Sequence, residues 1–458
     1  MSRAQAILIL AACLAVPAGA QPAEVRLLFT GDVSLSRQVR AEIERTGRFP
    51  WAGFADLFHA ADWVAGNLEG AVGGPENCLP APADAPCFDI PAALIPLLAK
   101  GGFRAMGIAN NHSGDLGAAG VKTTGQALRD AGVDAISFAD SPRFLNLGGH
   151  TIAIIALSAV PGRDGARVEI PSIELRQKLR LARNLSELVV VFIHWGSELL
   201  DWPNLEQRHA AEWLVANGAG LIVGHHPHVV QQAECVAGHP VFFSLGNHLF
   251  DQKYPDTKQG LIADCRIRAG QLRCGAIPTE TPAGSSIPAV AQTPSAGTTS
   301  TAAIQACPVT LTPPPLRARG AENGYVIQGA SWRSAALPLL SAESVNLNGP
   351  PDKPMLFALE RYYSSIDGED GPRPYVYEVR PNGLVARWRG SALAWPLLDA
   401  ALLPGGDGVL CALHRRDSFI QLEPGAQGVR TAAYKWNGFG FSGVDDPAIL
   451  ARCEAMFH

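Results

Sequence analysis

The sequence predicts an α/β fold of layered strands and helices up to about Cys274, followed by a smaller β-rich domain. Three observations predict it. Short apolar runs rich in Val, Ile, Leu and Phe alternate with helical stretches, the pattern of layered α/β architecture. Nearly every run drops polar residues at its carboxyl end, where open α/β sheets place their ligands. A charge-poor stretch rich in Pro, Thr, Ser and Ala then separates this pattern from a second half of short aromatic and β-branched runs divided by turns.

At 458 residues the chain exceeds one ordinary core, so two or three domains are expected. Its 47% hydrophobic and 17% charged residues place it among globular proteins. A net charge of -5 leaves no polycationic footprint, which excludes nucleic acid as the expected partner. Residues 1–20 read as a signal peptide: Arg3, an apolar stretch Ala6 to Val16, and the small residues Ala18-Gly19-Ala20 before Gln21. The expected location is periplasmic or secreted. A competing reading takes Leu10-Ala11-Ala12-Cys13 as a lipoprotein signal anchoring the chain through Cys13; it ranks second, because its apolar run is very short and no polar tether follows. No other apolar stretch reaches the ~18 residues that span a bilayer. Cleavage after Ala20 leaves eight of the nine cysteines, an even number that suggests disulfides in an exported chain. Cys78 with Cys87 and Cys265 with Cys274 are spaced to close local loops, and Cys411 with Cys453 would tie down the C-terminal segment. No CxxC spacing supports a cysteine zinc cluster.

In order, Val25 to Thr30 is a strand ending on Gly31-Asp32-Val33, and Trp63 to Glu69 repeats the pattern with Asn67 and Glu69 at its end. Phe103 to Ala109 makes a third strand, followed by Asn110-Asn111-His112, Ser113-Gly114-Asp115 and a helix from about Leu116 to Asp130. Adjacent asparagines before a histidine suit neither strand nor helix, so something other than propensity placed them. Ile152 to Leu157 and Glu187 to Ile193 are buried strands, the second ending in His194-Trp195-Gly196. Asn204 to Asn217 reads as a helix stopped by Gly218, and Val241 to Asn247 is a last strand with a polar end.

The stretch Ala219 to Gln231 organises the rest. Leu221-Ile222-Val223 runs into Gly224, and His225, His226 and His228 follow, with Pro227 stiffening the turn. The bland alternative is a loop of surface histidines. With only 12 histidines in the chain, three behind one buried strand favour metal ligation. Oxygen and nitrogen donors from several strand ends suit a borderline or hard divalent ion, and suffice for two ions about 3.5–4 Å apart. Mn, Fe, Zn and Mg all remain open.

The motifs GDVSLSR, NLEG, ANNHSGDLG, HWGSE, GHHPHVVQ and SLGNHLFDQ, in this order, resemble the CapA capsule-synthesis proteins, a family associated with poly-γ-glutamate capsules within the calcineurin-like metallophosphoesterase superfamily. The resemblance covers roughly residues 25 to 265. It implies a four-layer α/β/β/α sandwich with a metal centre at the carboxyl-end loops of two sheets. Asp32 resembles the first-motif ligand, Glu69 the bridging carboxylate, Asn111 and His194 ligands of the second metal, and His226 and His228 the closing pair. His112 matches the histidine that acts as general acid, with Asp115 orienting it. Two departures stand out: the first motif carries Ser34 where a histidine is usual, and the bridging residue is Glu69 in place of Asp. Ser34 or His225 could substitute as a ligand. Arg37 and His225 are the candidate substrate-binding residues, Arg37 by steering an anionic group; the alternatives are a solvated charge and a packed imidazole. Glu198 and Asn247 sit in the motifs without an assigned role. The implied activity is that of a metal-dependent hydrolase or transferase acting on an anionic polymer or phosphoester, alongside capsule-synthesis membrane proteins. The alternative is a non-catalytic assembly or export factor whose metal site holds polymer.

Residues 276–319 read as a flexible linker, because they lack the charge and apolar pattern of a core. The expected domains are therefore 1–20, 22–275, 276–319 and 320–458. In the last of these, Pro374 to Val379, Val385 to Arg389, Val409 to Leu413 and Ala433 to Trp436 read as strands.

Overall fold

Ile152–Leu157 is apolar at every position because both of its faces are buried, and this double burial sets the whole α/β domain. Ile152, Ile154 and Ala156 share a core with Leu188, Val190, Phe192, Leu221 and Val223 and with Val25, Leu27, Phe29, Trp63 and Ala65 of a second sheet. Ala153, Ile155 and Leu157 point the other way, onto helices. Each of the Ile, Leu, Val and Phe side chains among them contributes roughly 1.5–3 kcal/mol by leaving water. The computed structural model describes residues 24–80, 86–291, 304, 306–347, 354–365, 368–390, 393, 396–405, 408–415 and 428–457. The expected signal peptide with Cys13, and the centre of the expected linker, lie outside the described residues.

The first sheet has nine strands. Val25–Val33, Trp63–Leu68, Ala105–Gly107 and Asp134–Ile136 run parallel, and Gln259–Arg268 pairs antiparallel with Val25–Val33. The second sheet has six, with His150–Ser158, Leu188–His194, Leu221–His225 and His239–Leu245 parallel. Helix Arg37–Thr46, together with Trp51, Phe54 and Phe58, covers the outer face of the first sheet. Helices Ile173–Leu185 and Leu205–Ala216 cover the outer face of the second. The latter starts at a capping box, in which Asn204 and Gln207 satisfy each other's backbone N–H.

The expected linker needs correction. Strand Gln271–Glu280 continues past residue 275, and Ala289–Val290 and Val309–Thr310 both pair with it. A disulfide joins Cys307 to Cys235. Edge pairing and a crosslink order these residues without a core of their own, which is why their composition resembles a linker's. The boundary at 320 shifts too, because it falls inside strand Arg317–Ala321.

Beyond it lie a three-stranded sheet and two four-stranded sheets. Helix Pro447–Phe457, absent from the sequence-based expectation, is tied to strand Val409–Arg415 by Cys411–Cys453. This region does not stand apart from the first. Leu175 and Leu179 of helix Ile173–Leu185 share one core with Leu339, Ala342, Leu356 and Tyr377. On the same helix the Arg180 guanidinium meets Asp399 at 3.0 Å, and Gln177 donates to the Leu398 carbonyl at 3.0 Å. Cys78–Cys87 and Cys265–Cys274 are also bridged. No helix among the described residues is long and apolar enough to cross a membrane.

Candidate metal centre

Parallel strands of one register bring their carboxyl ends to one level, and both sheets do so on the same side. Asp32 lies opposite Asn67 and Asn247 in the first sheet, and His225 opposite His194 in the second. Gly31 and Gly224 permit the close approach: a Cβ on Gly31 would run into the Gly246 carbonyl, and one on Gly224 into the Phe243 carbonyl.

Asp32, Glu69, His194, His226 and His228 are all buried at this junction. The Asn67 amide donates to Asp32 Oδ1 at 2.9 Å and to Glu69 Oε1 at 3.2 Å, holding the two carboxylates together. Asn110 in turn donates to Asn67 Oδ1 at 3.0 Å. His194 Nε2 lies 2.8 Å from Asn111 Oδ1 and 3.8 Å from Glu69 Oε1. His228 Nδ1 lies 2.9 Å from Asn247 Oδ1 and 3.3 Å from Asp32 Oδ2, with its Nε2 3.8 Å from Glu69 Oε2. His226 and His228 take φ of 97° and 60°, a left-handed backbone that costs energy outside glycine and that aims both rings from one tight turn.

The donors form two groups, Asp32 with Glu69 and His194, and Glu198 with His226 and His228; within each, the ligand atoms lie within 4.8 Å of one another. Glu69 Oε2 and His226 Nδ1 are buried without a hydrogen-bond partner. Orphaned buried acceptors of this kind are costly unless a cation meets them, so the residues present fit divalent metal.

The protonation states show how much charge is confined here. Burial, and then Asp32 beside it, holds the Glu69 carboxyl well above the usual carboxylate range. Burial pushes Asp32 the same way, but the hydrogen bond and charge of His228 outweigh it and leave Asp32 below that range. Burial would lower His228, yet Glu69 and Asp32 raise it to about 10. Burial and the neighbouring His228 lower His226 to about 3. Burial, then His226, depresses His194 well below the ordinary imidazole value.

At the rim, His112 Nδ1 lies 3.0 Å from Asp115 Oδ2, and the imidazole stacks on Phe88 with centroids 3.8 Å apart. Asp115 is fixed in turn: Oδ2 accepts from the Phe88 backbone at 2.8 Å and Oδ1 from Arg163 Nε at 3.3 Å. Arg163 also donates to the Leu79 and Pro86 carbonyls, binding both ends of the Cys78–Cys87 loop to this histidine.

Three candidates need correction. His225, a candidate ligand and substrate-binding residue, is buried against Phe192, and its Nε2 lies 3.2 Å from the Thr30 carbonyl; it is a packed imidazole. Arg37 pairs with Asp251 and lies 4.2 Å over the Phe88 ring, so its charge is already matched. Ser34 hydrogen-bonds Ser36 at 2.8 Å, so its hydroxyl is engaged by a neighbouring side chain. Sequence reasoning put Asn67 and Asn110 at strand ends without giving them a role, and missed Phe88 and Arg163, which are reached through tertiary contacts alone.

The family described as bacterial capsule synthesis protein PGA_cap matches residues 26–252. The chain is similar to the PGA biosynthesis protein CapA of Bacillus subtilis (strain 168), 29% identical over 255 residues that cover 52% of this chain and 67% of that protein. It is also similar to the capsule biosynthesis protein CapA of Bacillus anthracis, 27% identical over 264 residues, 54% of this chain and 64% of that one. It thus spans about two thirds of the length of these relatives. Every donor described above falls within residues 26–252, the segment that matches the bacterial capsule synthesis PGA_cap family.

Proposed function

We propose that the chain is an exported, metal-dependent hydrolase or transferase that acts on an anionic envelope polymer, poly-γ-glutamate or another, or on a phosphoester precursor. The face-to-face sheets with helices outside support a four-layer α/β/β/α sandwich of the metallophosphoesterase type. One observation carries the reading: Asp32, Glu69, Asn111, His194, His226 and His228, from five strand ends of the two sheets, are gathered at one buried junction, where Glu69 Oε2 and His226 Nδ1 have no hydrogen-bond partner.

When bound, a pair of divalent ions lowers the pKa of a water and neutralises charge developing on a phosphoryl or carbonyl oxygen. The chain's own residues do the rest. Asn67 donates to both Asp32 and Glu69 and so holds them side by side. Asp115 accepts from the Nδ1 side of His112, which leaves Nε2 to hand a proton to the leaving group. Phe88 excludes water from one face of that ring.

A second reading, a non-catalytic assembly or export factor whose metal site holds polymer, is favoured by one feature: Ser34 brings no imidazole to the first strand, and its hydroxyl is engaged by Ser36. Turnover by the purified chain loaded with Mn2+, on bis(p-nitrophenyl) phosphate and on γ-glutamyl oligomers, separates the two. Hydrolysis that falls at least a hundredfold in His194→Ala supports the enzyme. Polymer retention with no turnover on either substrate class supports the binding factor.

A further inference from the structure

We propose that Glu198 is a metal ligand, completing with His226 and His228 a cation position at the mouth of the centre; this rests on the metal-dependent reading above. Glu198 is exposed, and its carboxylate makes no hydrogen bond or ion pair among the described residues. Yet one of its oxygens lies within 4.8 Å of ring nitrogens of both His226 and His228. The backbone fixes the point from which this side chain reaches the pair. Leu199 N donates to the Pro227 carbonyl at 2.9 Å, joining the residue after Glu198 to the residue between the two histidines. Trp195 N donates to the His225 carbonyl at 3.1 Å. Gln231, itself held by Gln207, donates to the Leu200 carbonyl at 2.7 Å. The two loops are stitched on both sides of the carboxylate.

The second, independent observation is His226. Its ring is nine-tenths buried, and Nδ1 has no partner, although the turn that aims it requires a strained φ. A cation between Glu198 and the two imidazoles removes the orphan and matches a third negative charge placed close to Asp32 and Glu69. One carboxylate with two imidazoles is a mixed oxygen and nitrogen set suited to Mn2+, Fe2+ or Zn2+. The inner group, two carboxylates and one imidazole, is the harder of the two.

The test uses Mn2+ alone with the full chain, stripped and reloaded, read by equilibrium dialysis with elemental analysis and by electron paramagnetic resonance. The wild type is expected to take two ions and to show the spectrum of a coupled pair. Glu198→Gln is expected to weaken one of them by roughly tenfold or more, since even outer partners of ligands cost that much, and to turn the spectrum into that of an isolated ion. Glu198→Asp should recover part of the affinity. Because the Glu198 carboxylate makes no hydrogen bond or ion pair among the described residues, both variants should match the wild type in circular dichroism and in melting temperature with chelator present. Two Mn2+ bound with wild-type affinity by Glu198→Gln would overturn the assignment while leaving the dinuclear centre standing. A wild type that binds one ion, lost in Asp32→Asn and kept in Glu198→Gln, would also overturn it. A wild type that binds none would remove the metal-dependent reading itself.

Discussion

His112 is held at Nδ1 by Asp115 and over one face by Phe88, which leaves Nε2 as the ring nitrogen not held by Asp115. His112→Ala should therefore lower turnover by about 10²–10⁴-fold, the usual span for a positioned acid, with bound Mn2+ unchanged. Kinetics and elemental analysis on the same preparation check this. His248 is the opposite case, a histidine with no visible task. It is buried among Phe54, Phe58 and Phe103, neither ring nitrogen has a partner, and burial lowers its pKa to about 3. In the unfolded chain the ring takes up a proton near pH 6.5, whereas in the folded chain it stays neutral down to about pH 3. Unfolding thus binds a proton across that window, and stability falls as pH drops through it, by at most about 1.4 kcal/mol per pH unit. Denaturation of His248→Phe between pH 6.5 and 4 should show a shallower loss than wild type. In the sequence nothing distinguishes His248 from the ligands. His225 misleads in the same way, since only the Thr30 carbonyl and the Phe192 ring mark it as a packing residue.

At the scale of elements, strand ends were legible and helix faces were not. Apolar runs stopping on Asp32, Glu69, Asn111, His194 and His226 announce themselves, because polar residues at the close of a buried strand need a reason to be there. Helix Ile173–Leu185 gives no such signal. Its Arg176, Gln177 and Arg180 look like a solvated face and are buried under the C-terminal sheets. Arg180 pairs with Asp399 at 3.0 Å, and Arg176 donates to the Phe457 carbonyl at 2.8 Å. Asp399→Ala leaves a buried guanidinium with only Glu343, at 3.9 Å, to offset it. That variant should lose about 3 kcal/mol in urea unfolding, the scale of a broken buried pair. Leu205→Ala on the neighbouring helix, 71% exposed, should change stability by no more than about 0.5 kcal/mol.

Across the whole molecule, one core runs through helix Ile173–Leu185 into the C-terminal sheets, and the described ends of the expected tether are paired to an edge strand and crosslinked. Composition could not reveal this, because edge strands and linkers share the same poor charge and high Pro, Thr and Ser content. The metal centre likewise draws on the whole domain, with donors in the first sheet and the second. Saturating Mn2+ should raise the unfolding midpoint. At a hundred times the dissociation constant each site would contribute about 2.7 kcal/mol, and a chelator should reverse it. A thermal scan with and without EDTA, repeated on Asp32→Asn, measures that contribution.

The division of the donors between two sheets has a further consequence. No short stretch of the nascent polypeptide carries the full donor set, since Asp32 and His228 become neighbours only once the sheets have closed on each other. An ion would therefore enter only after the two sheets have closed, and the ions present where folding finishes would set which one is taken.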